Sequence, residues 1–139
     1  MLTKDMLTLE QAVSLLKAAL GRAGELGALS TAAFVDPGGH LRALLRMDGA
    51  CWGDIDLAIN KAYTAAAWRC DSGDFYADAQ PGGAYFGMHF SNGQRVTTFI
   101  GGAPLYRGET LLGAVGISGG TSAQDQLCLD ALREALAAD

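Results

Sequence analysis

The chain has 139 residues, half of them apolar and 18% charged, with a formal net charge of -5. That composition suits a single domain with a real core and argues against disorder, while the acidic balance and the lack of a basic stripe argue against nucleic acid as a partner. No window reaches the ~18 apolar residues of a membrane span, and the opening "MLTKDMLTLEQ" lacks a signal-peptide core, so one cytoplasmic domain over 1–139 is expected.

Thr8-Leu9-Glu10-Gln11 has capping-box form, with Thr8 as N-cap and Gln11 three residues on. Leu9, Ala12, Val13, Leu16, Ala19, Leu20 and Ala23 follow at helical spacing, and Gly27 suits the C-terminal end. This predicts a helix over about 9–26. "ALSTAAFVD" and "HLRALLRM" flank a Pro-Gly-Gly turn at Pro37 and read as an antiparallel hairpin, with strands near 29–36 and 40–47.

"WGDIDLAINKAYTAAAW" reads as a second long helix with Ile55, Ile59, Ala62 and Ala66 on one face. "SGDFYADA" suggests a short helix capped by Ser72. "PGGAYFGMHFSNGQ" is a long irregular connection rich in aromatic residues, the kind of loop that often carries function. "RVTTFIGG" and "TLLGAVGISGG" read as strands, with room for a short edge strand in "APLYRGE" between them. The last segment is a helix capped by Thr121 or Ser122, with Leu127, Leu129, Leu132 and Leu136 on its inner face.

The order is not strict βαβ alternation, so an antiparallel sheet flanked by helices is expected, an α/β (α+β) fold of profilin-like or PAS-like shape. The glycines of "GAVGISGGTSAQD" (113–125) do not form a nucleotide loop. Their spacing, Gly113-x-x-Gly116-x-x-Gly119, misses the dinucleotide fingerprint, and Gly119-Gly120-Thr121 lacks the P-loop lysine. Two roles remain for them: close packing of a neighbouring backbone, or approach of a ligand. The helix N-terminus at Gly120 to Ser122 also offers free N–H groups to an anion.

Lys61 is the last of three lysines and lies among small apolar residues in "NKAYTAAAW". A shielded lysine can act as a base, a Schiff-base amine or a carboxylate partner; the bland alternative is a stem that snorkels to solvent. Thr64 is one turn further along the same face. Cys51, Cys70 and Cys128 are far apart, contain no C-x-x-C, and read as reduced thiols. No spacing of His, Cys, Asp or Glu suggests a metal centre.

Taken in order, "VDPGGHLRALLRMDGA", "DIDLAINKAYTAAAW", "PGGAYFG" and "GGAPLYRGETLLGAVGISGGTSAQD" resemble the small haem-binding, or haem-degrading, domain family that includes the GlcG and HbpS proteins (DUF336). The resemblance runs from about Thr8 to Leu136. It implies a five-stranded antiparallel sheet and homo-oligomers of four to eight chains. It further implies haem binding in several members and occurrence near catabolic genes or fused to corrinoid adenosyltransferases. A lysine at the position of Lys61 also belongs to the family pattern.

Haem iron takes His, Cys, Met or Tyr, so the resemblance makes His89, in the aromatic stretch with Tyr85 and Phe86, and His40, after the first Pro-Gly-Gly turn, the axial candidates. A histidine that some members carry in the first helix is absent here. Gly101, Gly102, Gly119, Gly120 and Thr121 complete the expected ligand-binding set, with Lys61 and Thr64 as the candidate catalytic pair. Three functions follow: a haem or tetrapyrrole binder, a small-molecule enzyme holding a carboxylate with Lys61, and a structural partner of another protein.

Overall fold

The computed structural model describes residues 6–138; the reading of the first five residues as lacking a signal core lies outside them. Helix α1 (Leu9–Glu25) begins at the expected box. The Gln11 N–H donates to Thr8 Oγ1 at 3.0 Å and the Thr8 N–H to Gln11 Oε1 at 2.8 Å. Its buried face is Ala12, Leu15, Leu16, Ala19 and Ala23, whereas Leu9, expected there, is exposed.

Strands β1 (Thr31–Val35) and β2 (Leu41–Arg46) form the expected antiparallel hairpin. Asp36 closes its turn, with Oδ1 accepting from the N–H groups of Gly38 (2.9 Å) and His40 (3.0 Å), an Asx-type device. After helix α2 (Gly53–Trp68) the chain passes through short 3₁₀ turns at Ser72–Phe75, Met88–Phe90 and Asn92–Gln94. Strands β3 (Gly102–Arg107) and β4 (Thr110–Ser118) and helix α3 (Ser122–Ala137) follow.

The sheet is antiparallel throughout, in the order β2-β1-β4-β3. It has four strands among the described residues, not five. The expected strand in "RVTTFIGG" does not form because side chains satisfy part of its backbone. The Thr97 N–H donates to Thr64 Oγ1 (2.9 Å), and the Phe99 carbonyl accepts from Ser72 Oγ (2.6 Å). Strand pairing begins only at Gly102, so the short edge strand expected in "APLYRGE" is β3 itself. Pro104 is tolerated there because β3 lies at the sheet edge. Ser72 likewise does not cap its short helix; its hydroxyl is committed to Phe99 and accepts from the Gly102 N–H at 2.8 Å.

Helices α1 and α3 cover one face of the sheet. Their Leu16, Ala19, Cys128, Leu129 and Leu132 pack with Phe34, Val115 and Ile117 in the main core. In α3 the buried positions are Asp125, Cys128, Leu129 and Leu132, spaced i, i+3, i+4 and i+7, while Leu127 is 40% exposed. Thr121, rather than Ser122, is its N-cap, completed by Gln124.

Helix α2 lies on the other face, against Val35 and Ala114. Its inward residues are Ala58, Lys61, Ala62 and Ala65, whereas Ile55 and Ile59 are half-buried. The reason is backbone contact. A Cβ at Gly116 would fall on the Ala58 carbonyl and within 2.8 Å of the Ala62 nitrogen. Small residues on both elements let α2 sit directly on β4, so larger isoleucines cannot occupy the contact stripe.

Candidate functional site

Close approach of α2 to the sheet carries Lys61 past the end of β4. Lys61 is 2% exposed, and its Nζ donates to the Ile117 carbonyl at 2.8 Å and to Asp125 Oδ2 at 3.2 Å. The lysine therefore does not snorkel. Asp125, itself 3% exposed, accepts a second bond on Oδ1 from the Gly120 N–H at 3.0 Å. The arrangement depends on Gly101, where a Cβ would stand 2.7 Å from Lys61 Nζ, and on Gly102, where it would overlap the Lys61 backbone and crowd Ser72 Oγ.

Burial lowers the Lys61 pKa from its ordinary value, against the raising pull of Asp125. Burial likewise raises that of Asp125, against the lowering effects of Lys61 and the Gly120 N–H. Both directions favour the proton-shared, neutral form of the pair over what water would allow.

A cavity of about 240 Å³ opens beside this pair, lined by Asp54, Leu57, Lys61, Phe99, Ile100, Ser118, Gly119, Gly120, Ser122 and Asp125. Ser118 Oγ donates to Asp54 Oδ1 at 2.8 Å on its wall. Gly119 and Gly120 thus line one space with Lys61. The helix end there is already capped from within: Gly120 N–H is held by Asp125, Thr121 N–H by Gln124 Oε1 and Gln124 N–H by Thr121 Oγ1. A carboxylate entering this cavity would meet two acidic side chains and one lysine whose charge Asp125 already offsets, so the geometry gives little attraction to an anion.

Thr64 does not face this cavity. Its hydroxyl donates to the Asn60 carbonyl at 2.7 Å and accepts from the Thr97 N–H. It anchors the segment that forms the floor of a second space, a groove of about 370 Å³ lined by Pro81, Phe86, His89, Val96, Thr97, Thr98 and Phe99, with Ala79 and Gln80. His89 and Phe86 meet edge to face, their ring centres 6.0 Å apart, and His89 lies 4.3 Å from the Phe90 ring. Tyr85 turns to Phe75 instead, edge to face at 6.0 Å, extending a row that starts at Trp68.

His40 lies at the tip of the β1–β2 hairpin, its Nδ1 3.2 Å from Asp36 Oδ1 and its side chain 81% exposed. It is not among the residues lining the His89 groove. Phe99 borders both the lysine cavity and the aromatic groove. No motif in the sequence joins Asp54, Phe99 or Asp125 to Lys61. The lysine and its partner are 64 positions apart, and no local pattern joins them.

Helices on both faces of this antiparallel sheet, with a buried lysine cavity beside an aromatic groove, define a small three-layer α+β domain. The chain belongs to the HbpS-like haem-degrading protein family, whose model matches residues 7–134. It is 36% identical over 121 residues to an uncharacterized 15.0 kDa protein from the dhaT–dhaS intergenic region of Citrobacter freundii, covering 87% of this chain and 85% of that protein. It is 36% identical over 132 residues to the corrinoid adenosyltransferase PduO of the same organism, covering 95% of this chain but only 38% of PduO. Among solved structures it is similar to the PduOC:haem complex, with a TM-score of 0.88, 32% identity and 94% of each chain covered. The likeness to a family named for haem and to a domain within a corrinoid enzyme agrees with the resemblance read from the motifs.

Proposed function

We propose that the chain is a cytoplasmic, homo-oligomeric domain that binds haem or a related tetrapyrrole in the groove lined by Phe86 and Phe99, with His89 as axial ligand. The observation that carries this reading is a single imidazole set among aromatic and aliphatic walls in an open groove. That donor set fits haem: imidazole nitrogen is a common axial ligand, and flat apolar walls suit a macrocycle. When bound, haem would supply iron redox chemistry; His89 would hold the iron and the rings would exclude water from one face. The relative crystallised as a haem complex supports the same ligand class.

His40 is the second axial candidate, though its bond to Asp36 competes for Nδ1. Exposed Trp52 (79%), Phe90 (67%) and Leu41 (49%) are the kind of surface that assembly of four to eight copies would cover. Among the described residues no helix is long and apolar enough to cross a membrane. The three cysteines are all unpaired, in keeping with a reducing compartment.

Titration of the purified chain with haemin tests the reading. A shifted Soret band that is lost or displaced in His89→Ala and retained in His40→Ala is the expected result. Binding unaffected by His89→Ala removes His89 as the ligand, and no spectral change with wild-type protein removes the reading itself. Light scattering of the same sample measures the number of copies.

A further inference from the structure

The lysine cavity has a composition that haem binding does not use. Lys61 Nζ stands in a buried recess beside Asp125, and the recess opens into about 240 Å³ of space with apolar walls from Leu57, Phe99 and Ile100. We propose that Lys61 is a carbonyl-condensing amine, forming an imine with a small uncharged aldehyde held in this cavity, with Asp125 carrying the protons. The size of the space limits the ligand to a few carbon atoms. Its charges select against anions, because Asp54 and Asp125 outnumber Lys61.

The step needs no external reagent. Asp125 Oδ2 takes a proton from the Lys61 ammonium, and the freed Nζ lone pair attacks the carbonyl carbon. The C=O π electrons move to oxygen, which receives the proton back from Asp125. Nζ then gives a second proton to Asp125, which passes it to the hydroxyl so that water leaves. The product is an iminium paired with the Asp125 carboxylate, and ammonium plus aldehyde has become iminium plus water. Burial favours the neutral amine that the attack requires. The Ile117 carbonyl, 2.8 Å from Nζ, holds the amine in place, and Gly101 leaves the room it occupies.

Reductive trapping of the wild-type protein tests the proposal independently of haem. The protein is incubated at neutral pH with propanal and cyanoborohydride, and the adduct is located by peptide mass mapping. Exposed Lys17 serves as the internal reference. The expected result is a Lys61 adduct that forms faster than that on Lys17, since burial lowers the Lys61 pKa and leaves free amine beside the cavity. Asp125→Asn keeps an acceptor for the Gly120 N–H but removes the carboxylate that raises the Lys61 pKa, so it frees more amine; the Lys61 adduct is nonetheless expected to form more slowly, with the circular dichroism spectrum unchanged, because the proton carrier is gone. Glyoxylate, an anionic aldehyde, is expected to label Lys61 more slowly than propanal. Labelling of Lys61 no faster than Lys17 overturns the proposal. Equal labelling in Asp125→Asn overturns the role of Asp125, and faster labelling by glyoxylate overturns the preference for uncharged aldehydes.

Discussion

Lys61 and Asp125 form an ion pair at 3.2 Å in which the side chains are only 3% and 5% exposed. It ties α2 to the first turn of α3 past the end of β4. Such a pair loses hydration at both ends, so its net contribution is small while breaking it is costly. Lys61→Met or Asp125→Leu alone is expected to destabilise the fold by about 3–5 kcal/mol by stranding a buried charge. The double variant is expected to recover most of that loss. Urea denaturation of the two single variants and the double closes the cycle; a double variant as unstable as the sum of the singles would show that the two residues act separately.

The contact between α2 and β4 has no slack. Gly116→Ala puts a methyl on the Ala58 carbonyl, and overpacking of this kind costs about 1–3 kcal/mol or more. The expected outcome is a lowered denaturation midpoint with weakened retention of the Lys61 pair, since the same helix carries the lysine. Gly21→Ala, on exposed α1 surface with nothing within 4 Å of a new Cβ, is the control and should be neutral or slightly stabilising.

Asp36 gives the β1–β2 turn a pH dependence. Partial burial pushes its pKa up, but the N–H groups of His40 and Gly38, and the His40 ring, outweigh that and hold it below 3.8. A carboxylate depressed on folding contributes stability that is full above 3.8 and is lost as pH falls through the lower folded value. Asp36→Ala is therefore expected to lose about 1 kcal/mol at neutral pH, and the gap to wild type should narrow in acid. Thermal melts of both proteins across the acidic range measure it, and a gap independent of pH would refute it.

The three thiols are expected to react in order of access. Cys51 is exposed, Cys70 is half-buried, and Cys128 is buried in the main core with its pKa pushed up to about 11, chiefly by burial. At mildly alkaline pH, iodoacetamide should modify Cys51 first and leave Cys128 unreacted until denaturant is added. Early alkylation of Cys128 would mean that α3 detaches readily from the sheet.

The aromatic groove gives a separate handle on the haem reading. Phe86→Ala removes a wall that meets His89 edge to face and is expected to weaken haem binding about tenfold, a typical cost for one aromatic contact of 1–1.5 kcal/mol. Tyr85→Ala, whose ring is turned to Phe75, should leave affinity almost unchanged. Fluorescence quenching on haem titration distinguishes the two.

The local pattern of the chain determined a good deal. The Thr8–Gln11 box marks the first helix because a cap needs only residues three apart, and the Pro-Gly-Gly turn marks its hairpin for the same reason, whereas the choice of Thr121 over Ser122 as cap of the last helix is made in the structure. The motifs together also pointed to the family that the comparisons show. What sequence spacing could not decide was set by contacts between distant segments. "RVTTFIGG" has strand composition, yet Thr64 and Ser72 take hydrogen bonds that a ladder would have used. The isoleucines of α2 yield the contact face to alanines because Gly116 brings two backbones together. Lys61 is marked as a shielded lysine by its neighbours alone, but its burial and its ion pair come from tertiary packing: only the packing of α3 beside the end of β4 brings Asp125 within 3.2 Å.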